Sequence, residues 1–128
     1  MTDPTWVLRE TVLALHEQSL TQFGGSAGIR DAGLLESALG RPQNLQAYGT
    51  PTVFELAASH AFGLARNHPF VDGNKRIAFL TAVLFLDLNG YLFQADQADA
   101  AVRTLALAAG EMTEVEHAAW LAANSAPE

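Results

Sequence analysis

Asn74-Lys75-Arg76-Ile77-Ala78-Phe79-Leu80-Thr81-Ala82-Val83-Leu84-Phe85-Leu86-Asp87-Leu88 is the stretch on which the fold turns. After Arg76 it is apolar nearly all round, so as a helix it has no polar face to offer water and must be enclosed by other helices. The run from Ile77 is interrupted by Thr81 and Asp87 and is well short of the roughly 20 residues that span a bilayer. A buried central helix therefore fits better than a membrane segment. Asn89-Gly90 stops it.

Working upstream, Pro69 disfavours helical geometry at His68, so the preceding helix ends by about Arg66. That helix carries Phe54, Ala57, Ala58, Ala61 and Ala65 on one side, small enough for a neighbour to approach closely. Thr50-Pro51 reads as its N-cap with proline at the first helical position. Asp31 is the expected N-cap of a short helix from Ala32 to Leu39, stopped by Gly40 and Pro42. Residues 41–50 then form an exposed loop, the candidate for positioning a target. Gly24-Gly25-Ser26-Ala27-Gly28 is a flexible loop after a first helix from about Trp6 to Leu20, with Leu8, Val12 and Leu15 at helical spacing.

Downstream, Tyr91-Leu92-Phe93 is extended or a short strand. Asp96 caps a helix to about Ala109, and Thr113 with Glu116 forms a capping box for a last helix ending near Asn124. The sum is an all-α, single-domain bundle of about six helices over residues 1–128. A chain of 128 residues that is 49% apolar suits one domain. It has no cysteine, which excludes a disulfide framework and thiolate zinc sites. Met1-Thr2-Asp3-Pro4 has no positive region followed by an apolar stretch, so no secretory signal is visible and a cytoplasmic location is expected. A net charge of −7 argues against broad nucleic-acid binding and leaves an acidic body able to meet a basic protein partner.

Against that acidic background Arg66, Lys75 and Arg76 are three of only seven cations, and Lys75 is the sole lysine. Lys75 and Arg76 fall in the first turn of a helix, where the macrodipole favours acidic side chains. A bound polyanion removes the conflict, because backbone N–H groups, lysine and arginine would all face it. Gly73 lets the backbone approach closely, Asn74 can donate from its amide, and Arg76 offers a planar fork. Asp72 is the one carboxylate among these cations. It suits Mg²⁺ held jointly with substrate phosphates, the alternative being an ion pair with Lys75 or Arg76. His68 is a candidate general base. Phe70 anchors the loop in the core. His16, His60 and His117 are scattered and read as surface or packing residues.

His68-Pro69-Phe70-Val71-Asp72-Gly73-Asn74-Lys75-Arg76 resembles the Fic/Doc motif His-x-Phe-x-[Asp/Glu/Asn]-[Gly/Ala]-Asn-[Gly/Lys]-Arg. Its lysine is similar to the Doc (death-on-curing) branch, where Fic AMP-transferases usually carry glycine. Gly33-Leu34-Leu35-Glu36-Ser37-Ala38-Leu39, Arg41-Pro42-Gln43 and Leu86-Asp87-Leu88-Asn89-Gly90-Tyr91 also look Doc-like, so the resemblance spans roughly residues 6–110. It implies a toxin of a toxin–antitoxin system that moves the γ-phosphate of ATP, with Mg²⁺, to a threonine of elongation factor Tu and so blocks translation. It makes His68 the base, Asp72 the metal ligand and Gly73, Asn74, Lys75 and Arg76 the phosphate holders, with Arg66 a further candidate. The alternatives are a Fic-type AMP-transferase and a catalytically silent protein that only binds its antitoxin. Self-inhibiting Fic enzymes carry [Ser/Thr]-x-x-x-Glu-[Gly/Asn], and no Ser or Thr here has Glu four residues later. Inhibition is therefore expected in trans, from the C-terminal segment of a Phd-like antitoxin.

Overall fold

A computed structural model describes residues 3–128; Met1 and Thr2, which enter the reading of the N-terminus, lie outside them. The helices are α1 Arg9–Phe23, α2 Ala32–Ala47, α3 Val53–Asn67, α4 Asn74–Leu88, α5 Gln97–Ala109 and α6 Glu114–Ala123. Two short strands, β1 Tyr91–Phe93 and β2 Ser125–Pro127, pair antiparallel with Leu92 opposite Ala126. The fold is all-α, and among the described residues no helix is long and apolar enough to cross a membrane.

α4 is central, as its all-round apolarity requires. It packs most extensively on α3, while α1, α5 and β1 cover its other sides, and α2 and α6 flank α3. Ile77, Ala78, Ala82, Phe85 and Leu86 of α4 join Leu56, Ala57, Ala61, Leu64 and Ala65 of α3 in one core. The small residues of α3 do bring a neighbour close. A Cβ on Gly63 would lie 3.1 Å from the Cα of Ala38, so α2 and α3 touch backbone to side chain there.

Most helix starts are capped as expected. Asp31 accepts from Leu34 N–H and Asp96 from Ala98 N–H, and Thr113 and Glu116 form the reciprocal capping box. The start of α3 differs. Its N-cap is Thr52, in a capping box with Glu55, and Pro51 precedes the helix. The pattern Thr52-Val53-Phe54-Glu55 carried that signal.

α2 overturns a larger expectation. Gly40 and Pro42 do not stop it; the helix runs on to Ala47 with Pro42 buried inside. Proline there removes one backbone donor at a cost of about 3 kcal/mol in an isolated helix. Pro42 is buried, and α2 is held to its neighbours at the residue before it. The Arg41 guanidinium makes a bidentate pair with Glu114 at 2.6 and 3.1 Å and stacks 4.5 Å from the Phe62 ring. The exposed loop expected over 41–50 is thereby mostly helix, tied to α6 and not to the cavity described below. α1 is shifted by about a turn (Arg9–Phe23), and its buried face is Val12, His16 and Ser19, with Leu8 exposed.

All three histidines outside the motif are buried. His60 donates from Nδ1 to the Leu56 carbonyl and lies against Trp6 and Phe85. Burial lowers its pKa from 6.5 to about 4, against the opposing effect of the Leu56 bond. Burial likewise takes His117 from 6.5 to about 4. Both are neutral when folded, whereas in the unfolded chain they protonate near 6.5. The unfolded state thus binds more protons between the two values, and stability falls as pH drops from 6.5 towards 4. The urea midpoint should decline already between pH 6.5 and 5, above the range in which ordinary carboxylates titrate. A midpoint constant over that interval would contradict the buried neutral state.

Candidate functional site

The loop between α3 and α4 is built from its ends inward. α3 stops at His68, which has φ 49° and ψ 55°, the only non-glycine positive φ among the described residues. The helix ends where Pro69 predicts, but through a left-handed residue and not an extended one. That conformation costs on the order of 1–2 kcal/mol for a non-glycine residue. Long-range contacts hold it. Arg30 donates from Nε to the His68 carbonyl at 2.6 Å and from Nη2 to the Asn67 carbonyl at 2.9 Å, satisfying the orphan carbonyls of the helix end. The N–H groups of Arg30 and Asp31 both reach the Pro69 carbonyl, and Ile29 bridges antiparallel to Phe70. Asn67 Nδ2 donates to the Leu34 carbonyl.

Asn74 closes the other end. Its Oδ1 accepts from Phe70 N–H and its Nδ2 donates to the Phe70 carbonyl, each at 2.9 Å. The side chain is buried and spent on the loop, which corrects its expected role as a side-chain donor to phosphate; its backbone N–H remains available. Gly73 is the N-cap at φ 76° and supplies no side-chain cap. The first bond back into the helix is from Ile77 N–H to the Gly73 carbonyl. The N–H groups of Asn74, Lys75 and Arg76 therefore point out of an uncapped helix start.

These groups face a cavity of about 480 Å³. His68, Asp72, Gly73, Asn74, Lys75 and Arg76 line it, together with Phe23, Gly24 and Gly25 from the end of α1 and the loop after it. Neither Lys75 nor Arg76 has an ion pair among the described residues. Arg76 lies with its guanidinium 4.5 Å from the centre of the Phe23 ring. Asp72 is not paired with either cation; Oδ1 accepts from Gly73 N–H at 2.8 Å and Oδ2 from Ser26 N–H at 3.3 Å. The glycine loop, expected only to be flexible, has a fitted place: a Cβ on Gly25 would stand 2.9 Å from Asp72 Oδ2. Arg66 is not brought into the cavity wall. It is exposed at the end of α3, beside the Phe62 ring and Gly110.

Among the described residues no group of three or more acidic, histidine or cysteine side chains could cage a metal ion. Asp72 is the one carboxylate on the cavity. A single carboxylate beside an anion nest is a donor set that fits Mg²⁺ completed by phosphate oxygens and water, and does not fit a closed zinc or calcium site.

Asn74→Ala should cost about 2–4 kcal/mol, because it strands a buried N–H and a buried C=O of Phe70. Lys75→Ala should stay within about 0.5 kcal/mol, since Lys75 is exposed and wrong-signed for its turn. Urea denaturation of the pair checks this; equal losses would show that the Asn74 amide does not hold the loop.

Comparison with known proteins agrees with this geometry. A family model described as the Fic/DOC family matches residues 6–86, which include α1 to α3, the whole loop and most of α4. The chain is 38% identical over 105 residues to the protein kinase Doc of Escherichia phage P1, covering 81% of this chain and 82% of that relative. It is 47% identical over 77 residues to the toxin Doc of Mycolicibacterium smegmatis, covering 58% of each. With the family model spanning the elements that build the cavity, and both relatives being Doc proteins, the chain belongs to the Doc group of the Fic/DOC family.

Proposed function

We propose that this protein is a Doc-type toxin that transfers the γ-phosphate of ATP to a hydroxyl of a translation factor, with a threonine of elongation factor Tu as the target, and so arrests growth from the cytoplasm. The observation that carries the reading is the uncapped, doubly cationic start of α4 facing a cavity of about 480 Å³ with His68 on its rim. Such a turn is unfavourable on its own and favourable with a phosphate chain across it. The kinase name of the relative that is 38% identical supports the same chemistry.

In this reading the backbone N–H groups of Asn74, Lys75 and Arg76, together with the two cationic side chains, hold the phosphates. Asp72 would hold Mg²⁺, which neutralises charge on the phosphate oxygens when bound. His68 accepts the proton of the incoming hydroxyl on an imidazole nitrogen. The hydroxyl oxygen bonds to the γ-phosphorus, the bond from that phosphorus to the β–γ bridging oxygen breaks, and ADP leaves. Lys75 decides the orientation. Its side chain takes space that glycine leaves open in Fic transferases, so the nucleotide lies reversed and presents its γ-phosphate. Control comes from outside, through a Phd-like antitoxin segment.

ATP labelled separately at the α- and γ-phosphates, incubated with elongation factor Tu, tests this. Label should move only from the γ position; transfer from the α position would establish an AMP-transferase. His68→Ala should lower transfer by about 10²–10⁴-fold and abolish toxicity while leaving antitoxin binding unchanged. Persistent toxicity of that variant would favour a protein acting through binding alone.

A further inference from the structure

His16 is the buried side chain at the motif for which the scheme above has no use. It comes from the middle of α1, is 5% exposed, and packs flat on Phe70 with centroids 3.8 Å apart and planes 13° from parallel. Its Nε2 lies 2.7 Å from the carbonyl oxygen of Asp72. A carbonyl oxygen only accepts, so Nε2 carries the proton and donates.

The bond falls on one particular peptide unit. The carbonyl of the Asp72–Gly73 peptide is held by His16, and its N–H is held by the Asp72 carboxylate at 2.8 Å. Both ends of the plane are thus fixed. That plane sets the backbone angle leading out of Asp72 and the φ of 76° at Gly73, from which α4 begins. Stacking on Phe70 explains an aromatic ring at position 16. It does not explain a donor aimed at this carbonyl.

We propose that His16 is a positioning residue: it holds the 72–73 peptide plane so that the Asp72 carboxylate and the first N–H groups of α4 face one ligand. This rests on the nucleotide reading above and names a residue from another helix as part of the same site. His16→Phe keeps the flat ring and loses the donor. His16→Gln keeps a donor and loses the ring.

The readout is the gain in ATP affinity that Mg²⁺ gives over EDTA, measured by calorimetry on the whole protein. His16→Phe should cut that gain about fivefold to tenfold, the worth of one hydrogen bond, and His16→Gln should restore it to within about twofold. In an Asp72→Asn background His16→Phe should change the gain no further, because it acts through Asp72. An unchanged gain in His16→Phe, failure of glutamine to rescue, or additive losses would each overturn the proposal. If the wild-type protein shows no such gain, the nucleotide reading is what fails. Amide exchange then judges His16 separately: the Gly73 N–H should exchange about fivefold or more faster in His16→Phe and not in His16→Gln. Equal exchange in all three proteins would overturn the positioning role.

Discussion

The side-chain amide of Asn74, reaching back to both polar groups of the Phe70 backbone at 2.9 Å each, is the constraint on which the site depends. Asn74 is itself the first residue of α4, so the bond pair ties the loop to the helix that follows it. With Phe70 held, its ring stays in the core, 1% exposed, and the His16 ring has a surface to stack on. With the loop closed, Asp72 comes against Ser26 and Gly25, and the free N–H groups of α4 open on the cavity. An aspartate cannot do the same, because an ionised carboxylate accepts but does not donate. The choice of asparagine thus follows from the need to satisfy a buried donor and a buried acceptor at once.

That closure divides the labour among residues that look alike in sequence. Asn74 is adjacent to Lys75 and Arg76, yet it is buried and saturated while they remain without ion pairs among the described residues. In the proposed function, backbone N–H groups and these two side-chain cations would hold the phosphates, with orientation supplied by the loop. Arg66, placed by sequence among the same cations, is separated from them by the end of α3. A helix turns its residues by about 100° each, and the left-handed His68 then redirects the chain, so sequence proximity does not carry Arg66 into the cavity.

Much of this was legible in the chain. The central helix followed from the absence of any polar face between Ile77 and Leu86, and its end from Asn89-Gly90. The capped starts at Asp31, Asp96 and Thr113 followed from local chemistry. The line through residues 68–76 held the histidine, carboxylate and cations that line the cavity because they are contiguous. The parts that were missed are set by contacts across the fold. Arg41 finds Glu114 on α6, which ties α2 to that helix one residue before Pro42. Ser125–Pro127 becomes a strand only because β1 lies beside it. Within the site, Arg30 reaches His68 from 38 positions away and His16 reaches Asp72 from 56. No spacing rule connects such pairs. His16 in particular was indistinguishable from a packing residue until its ring nitrogen had a partner.

The local rules of helix formation are obeyed at four of the six helix starts, which carry side-chain caps, and are broken together at one place. α1 also lacks a cap, but its first turn sets Glu10 beside Arg9, and Arg9 is paired with Glu36. α4 lacks a cap, starts with two cations and follows a strained histidine. A missing cap costs about 1 kcal/mol and each wrong-signed charge a few tenths or more. These losses fall within a segment of nine residues that the surrounding protein works to hold, through Arg30, Asn67, His16 and the α3–α4 core. A phosphate chain would satisfy the orphan N–H groups and reverse the sign of the charge effect, leaving only the His68 strain. That the sacrifices are of the kind a single class of ligand undoes, and lie side by side, is the physical reason to read this turn as a binding site and not as a poorly made helix.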